Sequence, residues 1–145
     1  MVRVAFESIY RILDANLNRA AEGIRVCEEV MRFIVNDRQL TVRFRNMRHQ
    51  IFKLSGILAR KKFIRKRDSR DDVGRNILHD ELKRNNYQDV FFTNMQRVKE
   101  SIRVLEEFYK LVDINMAVKL KKIRYRAYEI EKRAALKLST LSDIR

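Results

Sequence analysis

Apolar residues return every three or four positions through Phe6, Ile9, Leu13, Leu17, Ala20, Ile24, Cys27, Met31 and Ile34. That spacing keeps them on one side of a 3.6-residue period and predicts an amphipathic helix over about 5–35. Seventy-eight positions later the stripe recurs as Met95, Val98, Ile102, Leu105, Tyr109 and Val112, which predicts a twin helix over about 88–112. Leu40, Phe44, Met47, Ile51 and Leu54 predict a second helix near 37–62. Met116, Leu120, Ile123, Ala127, Ile130 and Ala134 predict a fourth near 114–138. Asn36-Asp37 and Asp113 interrupt the pattern with side chains that stop one helix and cap the next. No segment competes with the strand period of two.

Composition sharpens this picture. The 145 residues include no proline and only Gly23, Gly56 and Gly74, so little breaks a helix once begun. The expected fold is all-α, an antiparallel bundle of long helices built from two pseudo-symmetric αα-hairpins. It forms a single domain over 1–145, with repeat halves at about 5–62 and 86–138 joined by 63–85. The run RKKFIRKRDSRDDVGRN (60–76) holds the densest charge and reads as the connection, followed by a short helix near 78–85.

Polar letters repeat along with the core. NLNRAAEGIRVCEE (16–29) returns as NMQRVKESIRVLEE (94–107), so that Asn16, Arg19, Glu22, Arg25, Glu28 and Glu29 recur as Asn94, Arg97, Glu100, Arg103, Glu106 and Glu107. FRNMRH (44–49) pairs at a slightly shorter offset with LKKIRY (120–125), aligning Arg48 with Arg124 and His49 with Tyr125, which suggests a half-buried ring at His49. A core stripe repeats because any helix needs one, whereas a repeated polar set calls for a second reason. Asn16, Arg19, Glu22 and Arg25 are three apart and wind about 60° per step. Asn16 and Arg19 therefore flank the stripe while Glu22 and Arg25 face outward. A guanidinium at such a flank needs a carboxylate or an anionic ligand. The plainer reading makes Arg19–Glu22 and Arg25–Glu28/Glu29 intrahelical ion pairs worth about 0.2–0.5 kcal/mol each.

Charge defines the ligand class. The net charge of +14 attracts phosphates, whether of nucleic acid or of a small substrate. Arg45, Arg48 and His49, then Lys121, Arg124 and Arg126, supply a second basic group on the partner helices, expected to face the ladder across a cleft. Glu22, Glu100 and Asp72 could hold Mg²⁺ beside it. There is no GxxxxGK[ST] or GxGxxG, so any nucleotide site would use side-chain cations. One cysteine, Cys27, allows no internal disulfide. No stretch approaches the roughly 20 apolar residues of a membrane span, and the opening residues do not read as a signal peptide, so a cytoplasmic chain is expected.

The run RILDANLNRAAEGIRVCEEVMRF (11–33), with MRH (47–49), RDSRDDVG (67–74), NMQRVKESIRVLEEFYKL (94–111) and IRYRAYEIEK (123–132), resembles the small single-function hydroxymethylpyrimidine-phosphate kinases of thiamine biosynthesis. Members of that family also form the N-terminal domain of fused thiamine-phosphate synthases. The resemblance implies an ATP-dependent enzyme that converts 4-amino-5-hydroxymethyl-2-methylpyrimidine phosphate to its diphosphate. ATP and Mg²⁺ would be its cofactors.

On the matched positions, Arg19, Arg97, Arg48 and Arg124 are expected to clamp phosphoryl oxygens. Asn16, Asn94, Arg25, Arg103 and His49 would contact substrate, and Glu22, Glu100 or Asp72 would position the metal. Homo-oligomer formation and association with thiamine-phosphate synthase are both compatible with this reading. Two alternatives stand beside it. One is a non-catalytic accessory domain of thiamine-phosphate synthase, since the chain is too short for a (β/α)₈ barrel of about 250 residues. The other is a basic helical nucleic-acid-binding protein, for which no reading motif is present.

Overall fold

A computed structural model describes residues 2–76 and 79–142, and among them it contains helices and no strand. Four long helices form the body: α1 Val2–Glu29, α2 Arg38–Lys66, α3 Tyr87–Tyr109 and α4 Ile114–Ser142. A short 3₁₀ turn, His79–Leu82, lies where a brief helix was expected. Helix α1 packs on α2 and α3, α3 on α4, and α2 more lightly on α4. Neighbours run antiparallel. Glu28 meets Arg45 and Arg48 while Glu7 meets Lys66, and Cys27 reaches Phe91. The all-α bundle of two hairpins is the fold that the periodicity predicts.

The predicted stripe is the core. Leu13, Ala20, Ile24, Cys27 and Met31 of the first repeat are buried with Met95, Val98, Ile102, Leu105 and Tyr109 of the second. The stripe's last members are not. Ile34 and Val112 are exposed, because each lies at a helix end where the chain turns away from the bundle axis. Burial pushes the Cys27 thiol from its ordinary 9.0 to about 12, with Glu131 adding to the effect. Tyr109 moves from 10.0 to about 12 for the same first reason, with Asp113 contributing.

Above about pH 9 the unfolded chain therefore releases a Cys27 proton that the native state keeps. The unfolded state then binds fewer protons, and stability falls by about 1.4 kcal/mol per pH unit until the native thiol itself ionises. Tyr109 adds a slope of the same sign above pH 10. Urea unfolding at pH 8, 9.5 and 11 should show a steeper loss for the natural chain than for Cys27→Ala. Equal slopes would place the thiol in contact with solvent.

The two halves differ at their first connections. The repeat offset is 78 at Glu28/Glu106 and 76 at Asp37/Asp113, so the α1–α2 link is two residues longer than the α3–α4 link. The surplus is taken up by a π-helical widening over Val30–Val35, ended by Asn36 in the left-handed region (φ 56°). Asp37 then caps α2 by accepting from Leu40 N at 2.9 Å, and Asp113 caps α4 by accepting from Asn115 N at 3.0 Å. Both caps fall where the sequence suggested them.

Helix α2 also departs from its twin. Gly56 adopts φ 65°, ψ 165° and breaks it into two rods. That region of backbone space is open to glycine and closed to residues with a Cβ. The kink extends α2 beyond the expected end at 62 and lays its last turns on the start of α1. Phe63 is buried there with its ring centroid 5.5 Å from that of Tyr10, and Lys66 pairs with Glu7 at 2.8 Å. Gly56→Ala should lower stability by roughly 1–3 kcal/mol despite alanine's better helix propensity. A denaturation midpoint equal to that of the parent would mean that the kink is not required.

Candidate binding cleft between the two repeats

The polar ladder meets its own copy. Antiparallel packing brings the 16–23 face of α1 against the 94–101 face of α3. Gly23 sets how close they come: a Cβ there would lie 2.8 Å from Val98 Cγ2 and 3.1 Å from the Asn94 carbonyl oxygen. A cavity of about 480 Å³ opens over this crossing, lined by Asn16, Arg19 and Glu22 from α1, by Asn94, Arg97 and Glu100 from α3, and by Glu81 of the 3₁₀ turn.

A second cavity of about 600 Å³ adjoins it and shares Asn16, Arg19 and Glu22. Its far wall is the segment after α2, through Arg67, Asp68 and Asp72. Asp14, buried on α1, anchors that segment: Arg67 donates to both its oxygens at 2.6 and 2.8 Å. The bond to Asp14 raises the Arg67 pKa above its ordinary value. Asp72 Oδ1 is turned inward to its own loop, accepting from Gly74 N at 2.9 Å. The Gly56 kink is what carries this loop back to α1, and α4 shows no comparable break. The repeat is therefore symmetric in its helices and asymmetric in its site.

Two arginines in this cleft differ from the other arginines of the repeated motifs. Among the described residues, neither Arg19 nor Arg97 has a carboxylate within ion-pair distance, and both are exposed to the cavity. The amides of Asn16 and Asn94 back-bond to Ile12 O and Val90 O, each at 2.8 Å, which leaves both Oδ1 atoms able to accept. Glu100 accepts from Gln96 at 3.2 Å, whereas Glu22 has no such contact among the described residues. Two guanidinium groups, two amide acceptors and three carboxylates, Glu22, Glu81 and Glu100, thus surround one concave volume. That set suits a ligand with an anionic end and hydrogen-bond donors elsewhere.

Other expected members of the site lie away from it. Arg48 and Arg124 do not reach the cleft. Arg48 Nε lies 3.1 Å from Glu28 and Arg124 Nε 2.7 Å from Glu106. Glu28 is wholly buried and Glu106 is 4% exposed, so each carboxylate requires these donors and holds them. Arg45 joins at Glu28.

Arg25 and Arg103 pair along their own helices, at 3.0 Å with Glu29 and 3.2 Å with Glu107, as the plainer reading of the ladder expected. His49 is exposed on α2 rather than half-buried, and lines neither cavity. The expectation that the basic residues of α2 and α4 face the ladder is thereby corrected, because buried glutamates of α1 and α3 claim the inward-facing arginines.

The three carboxylates proposed for metal divide between the cavities: Glu22 with Asp72 in one, Glu22 with Glu100 in the other. No group of three or more metal-binding side chains occurs among the described residues. The described residues alone therefore build no metal cage. Mg²⁺ fits here only in its usual manner, with one or two carboxylates and the rest of its shell from phosphate and water. Sequence reasoning missed Asp14 and Arg67. Both lie inside the family-like runs 11–33 and 67–74, but nothing along the chain pairs a mid-α1 carboxylate with the residue that follows α2.

A model of the ThiD2 family matches residues 11–133. The chain is 40% identical over 124 residues to the thiamine-phosphate synthase of Nostoc punctiforme, covering 85% of this chain and 34% of the relative. It is 39% identical over 125 residues to that of Synechocystis sp., covering 86% and 35%. Against that of Rhodopirellula baltica it is 35% identical over 143 residues, covering 98% and 38%. The chain spans roughly a third of the length of these curated relatives. No solved structure matches it.

Proposed function

We propose that this chain, which belongs to the ThiD2 family, binds a phosphorylated pyrimidine of thiamine biosynthesis in the α1–α3 cleft and serves thiamine-phosphate formation as a helical unit accompanying the synthase. The observation that carries the reading is the pair Arg19 and Arg97, brought together without carboxylate partners among the described residues. Relatives named thiamine-phosphate synthase, of which this chain matches about a third, support the pathway. In this arrangement the phosphate lies between the two guanidinium groups. Asn16 and Asn94 accept from the ring's amino group, and the Asp14–Arg67 pair holds the far wall.

A second reading has one specific observation in its favour. The two cavities share Arg19 and Glu22, so two anionic ligands could meet at a common cation and a common carboxylate. On this reading a phosphate oxygen of the pyrimidine attacks the γ-phosphorus of ATP. The bond to the bridging oxygen breaks, and ADP leaves with the diphosphate as product. The attacking oxygen is already ionised, so charge neutralisation and alignment matter more than proton transfer. Mg²⁺, when bound with ATP, would supply part of that neutralisation. Glu22 is the side chain best placed to hold it.

One experiment separates the readings. The pyrimidine phosphate is titrated calorimetrically into the chain, then incubated with ATP and Mg²⁺ and followed by ³¹P NMR. Binding without diphosphate supports the accompanying unit; diphosphate resonances support the kinase. Absence of both binding and turnover removes the cleft as a pyrimidine site.

A further inference from the structure

The face opposite the cleft carries several cations that no carboxylate neutralises among the described residues. Helices α1 and α3 form one side, and α2 and α4 form the other. Helix α2 contains not one Asp or Glu from Arg38 to Lys66, and α4 contains only Glu129 and Glu131. Glu131 is taken by Lys99 at 2.9 Å. Where α2 and α4 adjoin, a cavity of about 330 Å³ is rimmed by Lys53, Lys119, Lys122 and Arg126, with no carboxylate in its lining. Its floor is apolar, made by Leu54, Met116 and Ile123.

Arg126 is held without being neutralised. Its Nη1 donates to Gln50 Oε1 at 2.7 Å, a neutral amide rather than a carboxylate. The contrast with Arg124, two positions away and bound to buried Glu106, is direct. A guanidinium oriented by an amide keeps its full charge and its remaining donors for a ligand. Among the described residues, Lys53, Lys119 and Lys122 make no ion pair. Like charges gathered around one concavity raise the local potential and concentrate anions there.

We infer that this α2–α4 cavity is a second anion site, separate from the cleft, which takes a small organic polyanion such as a diphosphate ester. Several negative charges are required because one would offset only part of the four-cation rim. The apolar floor receives the ester's less polar body. A compact ligand is favoured over a nucleic acid because the cations converge on one volume of small-molecule size instead of tracking along a ridge.

The test uses the Arg19→Ala/Arg97→Ala chain, so that the cleft contributes nothing and the outcome is independent of its function. Inorganic pyrophosphate is titrated calorimetrically into this background. One binding event should remain, and adding Lys119→Glu/Lys122→Glu should weaken it about 100-fold, roughly tenfold per lost charge-assisted contact. Both lysines are exposed, and unchanged circular dichroism verifies folding. Gln50→Glu, which keeps every cation but neutralises Arg126, should weaken binding about tenfold. Unchanged affinity in either variant overturns the site. So does the absence of pyrophosphate binding when a short DNA duplex binds the same face with steep salt dependence.

Discussion

Arg19→Ala and Arg97→Ala should each weaken binding of the pyrimidine phosphate by about 100-fold or more, through loss of charge-assisted hydrogen bonds worth about 1.5–3 kcal/mol each. Neither change should affect the fold. Both side chains are exposed to the cleft and bond to no buried carboxylate, so removal orphans nothing. Alanine is also the better helix former. Calorimetric titration with circular dichroism as control measures both halves of the expectation. Lysine at either position should restore only part of the affinity, because an ammonium cannot reproduce the fork geometry. If phosphoryl transfer also occurs, turnover should fall at least as far as affinity. Near-normal binding in both variants would remove the ladder from the site and leave the family relationship without a pocket.

The opposite signature is expected one layer away. Arg48→Ala and Arg124→Ala should leave ligand affinity unchanged and lower stability by about 2–4 kcal/mol, since each strips a donor from a buried carboxylate. Glu28 loses one of the contacts that make its burial tolerable, and Glu106 loses its shortest. Arg48 and Arg124 are themselves only 23% and 13% exposed, so solvent screens these pairs less than surface ones. For a domain of this size the loss corresponds to roughly 5–15 °C in Tm. The twin positions should behave alike, because each pair ties the two helices of one hairpin. A normal Tm with lost binding would return these arginines to the phosphate clamp that the sequence suggested.

The repeated alphabet led to the right helices and, for Arg19 and Arg97, to one common cleft. It could not separate those two from Arg48 and Arg124. All four are arginines in repeated motifs, and all four were expected near anions. The structure brings anions to two of them in the form of buried glutamates on a neighbouring helix. His49 shows the same difficulty: its alignment with Tyr125 suggested a half-buried ring, but both positions are exposed. The kink at Gly56 and the Asp14–Arg67 pairing were not legible for a different reason. A kink has no periodic signature, and an ion pair separated by 53 residues is invisible until the chain between has folded back.

Periodicity and repetition therefore determined the number of helices, their cores and the doubled polar ladder, because helix geometry follows from spacing along one strand of chain. Which cations are free for a ligand was decided only by packing. A guanidinium's availability depends on whether a carboxylate from another helix reaches it first, and that is set by antiparallel register, by the close approach at Gly23 and by the turn at Gly56. Spacing assigns a side chain to a face; the neighbouring helix decides what the face meets.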